Sequence, residues 1–293
     1  MDDRFTTVGI RPVPPPRRRT PRWHEGKPVV SMAVLAVILG GCLLCDLFIP
    51  RDPAYMDLYN ASRAPCREFW FGTDAMGRDI FSMIWYGGRI SLFIGFFAAA
   101  VSTLIAIVVG AASGLAPKWL DELLMRLTEI FLSIPSLLLI VLIQAVLGKA
   151  SVFSISLVIG LTSWTSIAKV VRAEVRQLRS SEYVVAARCM GAGFPRILRR
   201  HLAPNFLSSI MFMAVMNIRG AISAESTLSF MGIGLPLEVI SWGSMLSLSE
   251  NALSSGAWWI ILIPGVFLVV TLLCVTNIGS YLRRQSNRKE SNL

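Results

Sequence analysis

The chain has 293 residues, is 54% hydrophobic and only 16% charged, and carries a formal net charge of +10. That composition excludes an ordinary soluble domain and is long enough for several membrane spans. A strongly basic balance suits nucleic acid binding in a soluble domain, but here the basic residues flank apolar stretches, so nucleic acid is excluded as a partner and a lipid membrane is expected.

Residues 1–28 form a tail with Arg4, Arg11, Arg17, Arg18, Arg19, Arg22 and Lys27, interleaved with Pro12, Pro14, Pro15 and Pro16. The basic residues hold it in the cytoplasm, and the prolines favour an extended chain. A span needs about 20 apolar residues to cross about 30 Å of hydrocarbon. The first such stretch, Val29 to Ile49, is too long for a signal peptide and lacks a small-residue cleavage site, so it is expected to remain as an anchor.

Residues 50–89 follow on the outer side and include FWFGTDAMGRDIFSMIWYGGRISLFIG, Phe69 to Gly95. Asp74 can cap the following turn, Arg78 and Asp79 can pair, and Trp85 and Tyr86 suit the headgroup level. The expected role is a structural re-entry into the membrane. Residues 90–282 then hold five more spans, near Ile90 to Ala116, Thr128 to Leu147, Ser151 to Ala168, Phe206 to Met231 and Ala257 to Leu282. Ahead of the third, Arg126 and Glu129 are three apart on one helical face and can pair. Pro135 lies inside an apolar helix, where it marks either a bend lining a pathway or a packing kink.

The loop 169–205 carries Lys169, Arg172, Arg176, Arg179, Arg188, Arg196, Arg199 and Arg200, which place it on the cytoplasmic side. Within SEYVVAARCMGAGFPRILRRHLAPN, small Ala186 and Ala187 permit close approach, Gly191 and Gly193 suit a turn, and Pro195 opens a second helical piece. The loop reads as a docking element, with Glu182, Arg188, Met190, Ala192, Arg200, His201 and Pro204 as further candidate residues. A basic loop without that spacing reads as an amphipathic helix with a solvated face.

The fifth span contains Arg219 and Glu225. Charge inside a span is costly and must face protein or water, so both are candidates for a pathway or gate, the alternative being an internal ion pair or snorkelling. Between the fifth and sixth spans, Glu238 and Glu250 occur without Lys or Arg, which places that loop outside as a candidate contact for an external partner. The tail 283–293, with Arg283, Arg284, Arg288 and Lys289, returns to the cytoplasm. The fold expected is an all-α integral membrane protein of six transmembrane helices.

Cys42, Cys45, Cys66, Cys189 and Cys274 match no disulfide or zinc spacing. Cys42 and Cys45 read as packing residues. The chain lacks a phosphate-binding G-x-x-x-x-G-K-[ST] run, H-E-x-x-H and G-x-S-x-G, and its histidines are His24 and His201. ATP hydrolysis through a P-loop and catalysis in general are therefore not expected, and no cofactor or metal is assigned to the chain.

The loop resembles the EAA loop of ABC importer permeases. Ala186, Ala187, Gly191 and Pro204 fall on that pattern, while Val185, His201 and Ala203 depart from it. Arg200, His201, Pro204 and Asn205 resemble the closing RHxxPN of the peptide and nickel branch. Gly72, Thr73, Asp74, Gly77, Arg78, Asp79, Ser82, Arg89, Ser91 and Leu92 fall on that branch's GTDxxGRD signature, with Met83 in place of Arg. Glu225, Leu228, Ser229, Phe230 and Gly232 resemble its E-x-x-L-S-F-L-G stretch. Asn277, Gly279 and Arg283 resemble its ending, with Ser280 at an Asp position.

The resemblance implies a type I ABC importer permease fold. It implies the second permease subunit of a bacterial inner-membrane importer for dipeptides or oligopeptides, with nickel or a metal chelate as the alternative. The implied partners are a homologous permease, two ATPase subunits that bind ATP and Mg, and an extracytoplasmic solute-binding protein. The loop would form a coupling helix seated in a cleft of the ATPase. An intramembrane enzyme or a scaffold would leave the spaced loop unexplained.

The charge distribution predicts that a single cysteine introduced near Ser249 reacts with an impermeant reagent from outside, whereas one near Ser180 does not. Labelling of intact cells checks this, and the reverse pattern refutes the orientation.

Overall fold

A computed structural model describes residues 28–148, 150–197, 203–236, 238–248, 252 and 256–290. These residues are helical apart from turns and one bridge pair, Thr73 with Asp79. In chain order the helices are α1 (Val29–Leu43), α2 (Cys45–Phe48), α3 (Ile80–Leu115), α4 (Lys118–Ser133), α5 (Ser136–Leu147), α6 (Val152–Thr162) and α7 (Thr165–Leu178). They continue as α8 (Glu182–Cys189), α9 (Phe194–Ile197), α10 (Ala203–Phe230), α11 (Trp242–Ser247) and α12 (Trp259–Glu290).

Helix α3 is the central element, packed against α1, α6, α7 and α10. The carboxylate of Asp79 starts it by accepting from the Ser82 amide at 3.0 Å. Small residues on its surface set the spacing, since helices in lipid associate through close packing rather than hydrophobic exclusion. Gly110 and Gly114 show this best: a Cβ on either would stand within 3 Å of Val171 or Val175, so α7 reaches α3 only because both lack one.

By length and composition, Ile80–Leu115 and Trp259–Gln285 each suffice to cross a membrane. The expected third and fourth spans are each broken. Lys118–Ser133 and Ser136–Leu147 meet at 94°, with the break at Ile134 and Pro135, and Val152–Thr162 and Thr165–Leu178 meet at 44°. The first break follows from the proline, which bars αR backbone for the residue before it. The second was not anticipated; Thr162, whose hydroxyl bonds back to the Val158 carbonyl at 3.0 Å, sits beside it. Helix α1, at 15 residues, is shorter than the expected first span, and the second begins at Ile80 rather than Ile90.

The GTDxxGRD segment has a structural job. Asp74 accepts from the Met76 and Arg78 amides at 2.9 and 2.8 Å and pairs with the buried Arg78 guanidinium at 2.7 Å. The expected Arg78–Asp79 pair is not formed, because Asp79 is committed to capping α3. Trp259 Nε1 donates to the Thr73 carbonyl at 3.1 Å, so the segment also fixes the start of α12. The expected Arg126–Glu129 pair is present on the exposed face of α4, at 3.3 Å. All five cysteines are free, and Cys42 and Cys45 are buried as packing residues.

Candidate functional site

The predicted docking loop forms α8, a turn and α9. Its helix is two-faced. Val184 and Ala187 are buried, and Val184 and Ile197 join an apolar cluster with Val171 and Val175 of α7 and Ile210 of α10. On the other side Glu182, Val185, Ala186 and Cys189 recur at helical spacing and are exposed, and Met190 beyond them is 81% exposed. An apolar face that is left open while its reverse is anchored suits a docking surface.

Gly191 ends α8 with φ +80°. The Ala192 amide reaches back to the Ala187 carbonyl at 3.0 Å, closing the helix as a glycine-dependent C-terminal motif. Nothing lies within 4 Å of where a Cβ would stand. The glycine is required by backbone conformation alone. Ala192 is half-buried, Gly193 is exposed, Arg188 belongs to α8, Pro195 to the first turn of α9 and Pro204 to the first turn of α10. Arg200 and His201 lie outside the described residues.

Beneath this loop is a cluster that sequence reading missed. Asp121, only 2% exposed, accepts from Arg172 Nε at 2.5 Å and Nη2 at 2.7 Å, and also from Arg176 and from the Ser113 hydroxyl. Arg179 donates to the Gly114 carbonyl at 3.3 Å. One carboxylate thus ties the end of α3 and the start of α4 to α7, the helix that leads into α8. Hydrogen bonds from Arg172 are the main reason its carboxyl is held down to about 2, with burial opposing and Ser113 and the charges of both arginines assisting. The signal was present in sequence, as an aspartate opening an otherwise amphipathic helix and arginines four apart on α7, but their pairing is a tertiary fact.

The other candidates lie away from the loop. Glu225, fully buried in α10, accepts from four hydroxyls: Ser241 at 2.7 Å, Ser229 at 2.9 Å, and Ser91 and Ser226 at 3.4 Å. These fill the roughly four acceptor positions a carboxylate offers. Ser91 also accepts from the Trp242 amide at 3.1 Å, so the network clamps α11 onto α3 and α10. The stretch expected as an open external loop therefore turns inward, burying Trp242 and Met245. Within it Glu238 is exposed and Glu250 lies outside the described residues. Arg219 is exposed and does not pair with Glu225, so the internal ion pair is not formed. Pro135 is exposed at the α4–α5 bend.

Comparison with known proteins adds to this geometry. Residues 102–288 match the family of binding-protein-dependent transport system inner membrane components. The oligopeptide transport system permease protein OppC of Bacillus subtilis is 36% identical over 255 residues, covering 87% of this chain and 83% of that protein. The dipeptide transport system permease protein DppC of the same organism is 34% identical over 255 residues, covering 87% and 79%. A chain from inward-facing structures of the MetNI methionine ABC transporter superposes with a TM-score of 0.54 at 17% identity, covering 70% of this chain and 96% of that one.

Replacing Asp121 by Asn is expected to cost about 1.5–3 kcal/mol, the worth of hydrogen bonds to a charged group. Because the folded carboxyl titrates near 2 instead of 3.8, the wild type's advantage is complete above the unfolded value and is lost as pH falls through about 2. Thermal melts of both proteins across this range check it; a difference that is the same at every pH contradicts the pairing.

Proposed function

We propose, since this chain belongs to the family of binding-protein-dependent transport system inner membrane components, that it is one permease of a pair forming the route of an ATP-driven peptide importer. It crosses the membrane six times with both ends in the cytoplasm, and a homologous permease completes the route. Two ATPase subunits bind ATP and Mg, and an extracytoplasmic solute-binding protein delivers the peptide. The names of the OppC and DppC relatives support peptides as the cargo.

The observation that carries this reading is the two-faced α8. Its open face, Glu182, Val185, Ala186, Cys189 and Met190, seats in a cleft of the ATPase, with Arg188, Gly193, Pro195, Arg200, His201 and Pro204 completing the contact region. Its buried face, with α9, transmits the motion: Val184 of α8 and Ile197 of α9 press on α7 and α10, and Asp121 passes movement of α7 to α3 and α4. ATP binding closes the ATPase pair and thereby favours one arrangement of the permeases, a population shift between two states. Arg219 and the bend at Pro135 border the route, the Glu225 network holds its outer closure, and Glu238 with Glu250 faces the binding protein.

Gly191→Val tests the coupling role. A β-branched residue at φ +80° is strained whatever room it has, so the variant is expected at normal abundance in the membrane, with weakened ATPase association and uptake abolished. Normal uptake at normal abundance would refute the role assigned to the loop.

A further inference from the structure

Three charged side chains lie in the interiors of the long helices α3 and α10, and two of them are fully engaged. Arg89 donates to the last carbonyls of α1, Cys42 and Leu43, both at 3.2 Å, and to Asp46 at 2.8 Å. Glu225 is enclosed by serine hydroxyls. Arg219 is different. It is exposed near the middle of the 28-residue α10, and among the described residues neither a carboxylate nor any other acceptor engages it. A guanidinium at that depth must face water or another polar group.

Its surroundings say what it faces. Helices α3 and α10 leave between them an open apolar groove of about 460 Å³, lined among others by Phe96, Ala99, Leu104, Met211, Val215 and Ile218. Arg219 adjoins the lining residue Ile218 and lies one turn beyond Val215, rotated about 40° from it, so it borders the groove at its edge on α10.

We propose that Arg219 is an anion subsite within the transport route, taking the terminal carboxylate of a peptide in transit while the peptide's apolar side chains lie along Phe96, Met211 and Val215. The assignment rests on the peptide-importer reading above. One fixed guanidinium matches one carboxylate, which it can hold through two parallel hydrogen bonds. A lipid phosphate is a poor alternative, because headgroups sit about 15 Å from the midplane of a hydrocarbon layer of about 30 Å. A carboxylate of the partner permease would bind Arg219 whatever the cargo, and the test distinguishes it.

The complete transporter, reconstituted in vesicles with its binding protein and ATPases, is assayed for uptake of an apolar peptide with a free terminal carboxylate and of the same peptide as its terminal amide. Wild type is compared with Arg219→Gln and Arg219→Lys for each peptide separately. Arg219→Gln is expected to lower uptake of the acid by at least about tenfold, in line with losing a charge-assisted hydrogen-bond pair. Uptake of the amide is expected to stay near wild type, Arg219→Lys to recover part of the loss, and ATP hydrolysis stimulated by the loaded binding protein to persist. Equal losses for both peptides would overturn the subsite in favour of a permease–permease ion pair, and no loss would place Arg219 off the route. Wild-type complex that transports neither peptide would instead overturn the peptide-importer reading, and the subsite with it.

Discussion

A buried carboxylate organises the loop-bearing end of this protein. Removing Asp121 from water is costly, and the cost is offset only if each lone pair finds a donor. Arg172, Arg176 and Ser113 supply those donors from two other helices. The arrangement works because Gly110 and Gly114 let α7 lie close against α3; side chains there would move the arginines away from the carboxylate. Packing and ion pairing therefore depend on each other. The consequence is mechanical: α7 cannot shift without carrying the end of α3 and the start of α4, and α8 follows directly from α7.

The opposite end solves the same problem with neutral groups. Four serine hydroxyls surround Glu225 and leave no acceptor position for a cation. Three of these serines sit on α10 or α3, and Ser241 sits at the start of α11, where it also forms a reciprocal cap with Ser244 at 2.8 and 3.0 Å. Trp242 Nε1 adds a bond to the Ile84 carbonyl at 3.0 Å. The segment between α10 and α12 is thereby held as part of the core. Between the two ends, Asn217 bonds Ser102 at 2.7 Å across α10 and α3, so polar contacts recur along the length of the central helix pair.

Much of this was legible in the chain. Apolar stretches and the placement of Lys and Arg located the helices, the Ala-Ala-Gly spacing located the loop, and Pro135 located a sharp bend. Hydropathy could not see that the third and fourth stretches are each two helices, since it averages over the break and is blind to backbone direction. Nor could it see α11, whose six residues are too short to register and whose burial comes from α10, α12 and α3. The Asp121 cluster was illegible for a different reason. Its partners lie some fifty positions apart, and only the small-residue contact between α3 and α7 brings them together. The Glu225 shell is of the same kind: serine carries little local signal until four of them converge.

The central claim is that α8 and α4 move as one body through α7 and Asp121. It is tested most directly by the distance between spin labels at Trp119 and Met190, both exposed, in the complete transporter after replacement of the native cysteines. The distance is expected to be the same in the nucleotide-free and the ATP-trapped states. A distance that changes between those states would show that the loop moves independently of the cluster beneath it, and would contradict the account.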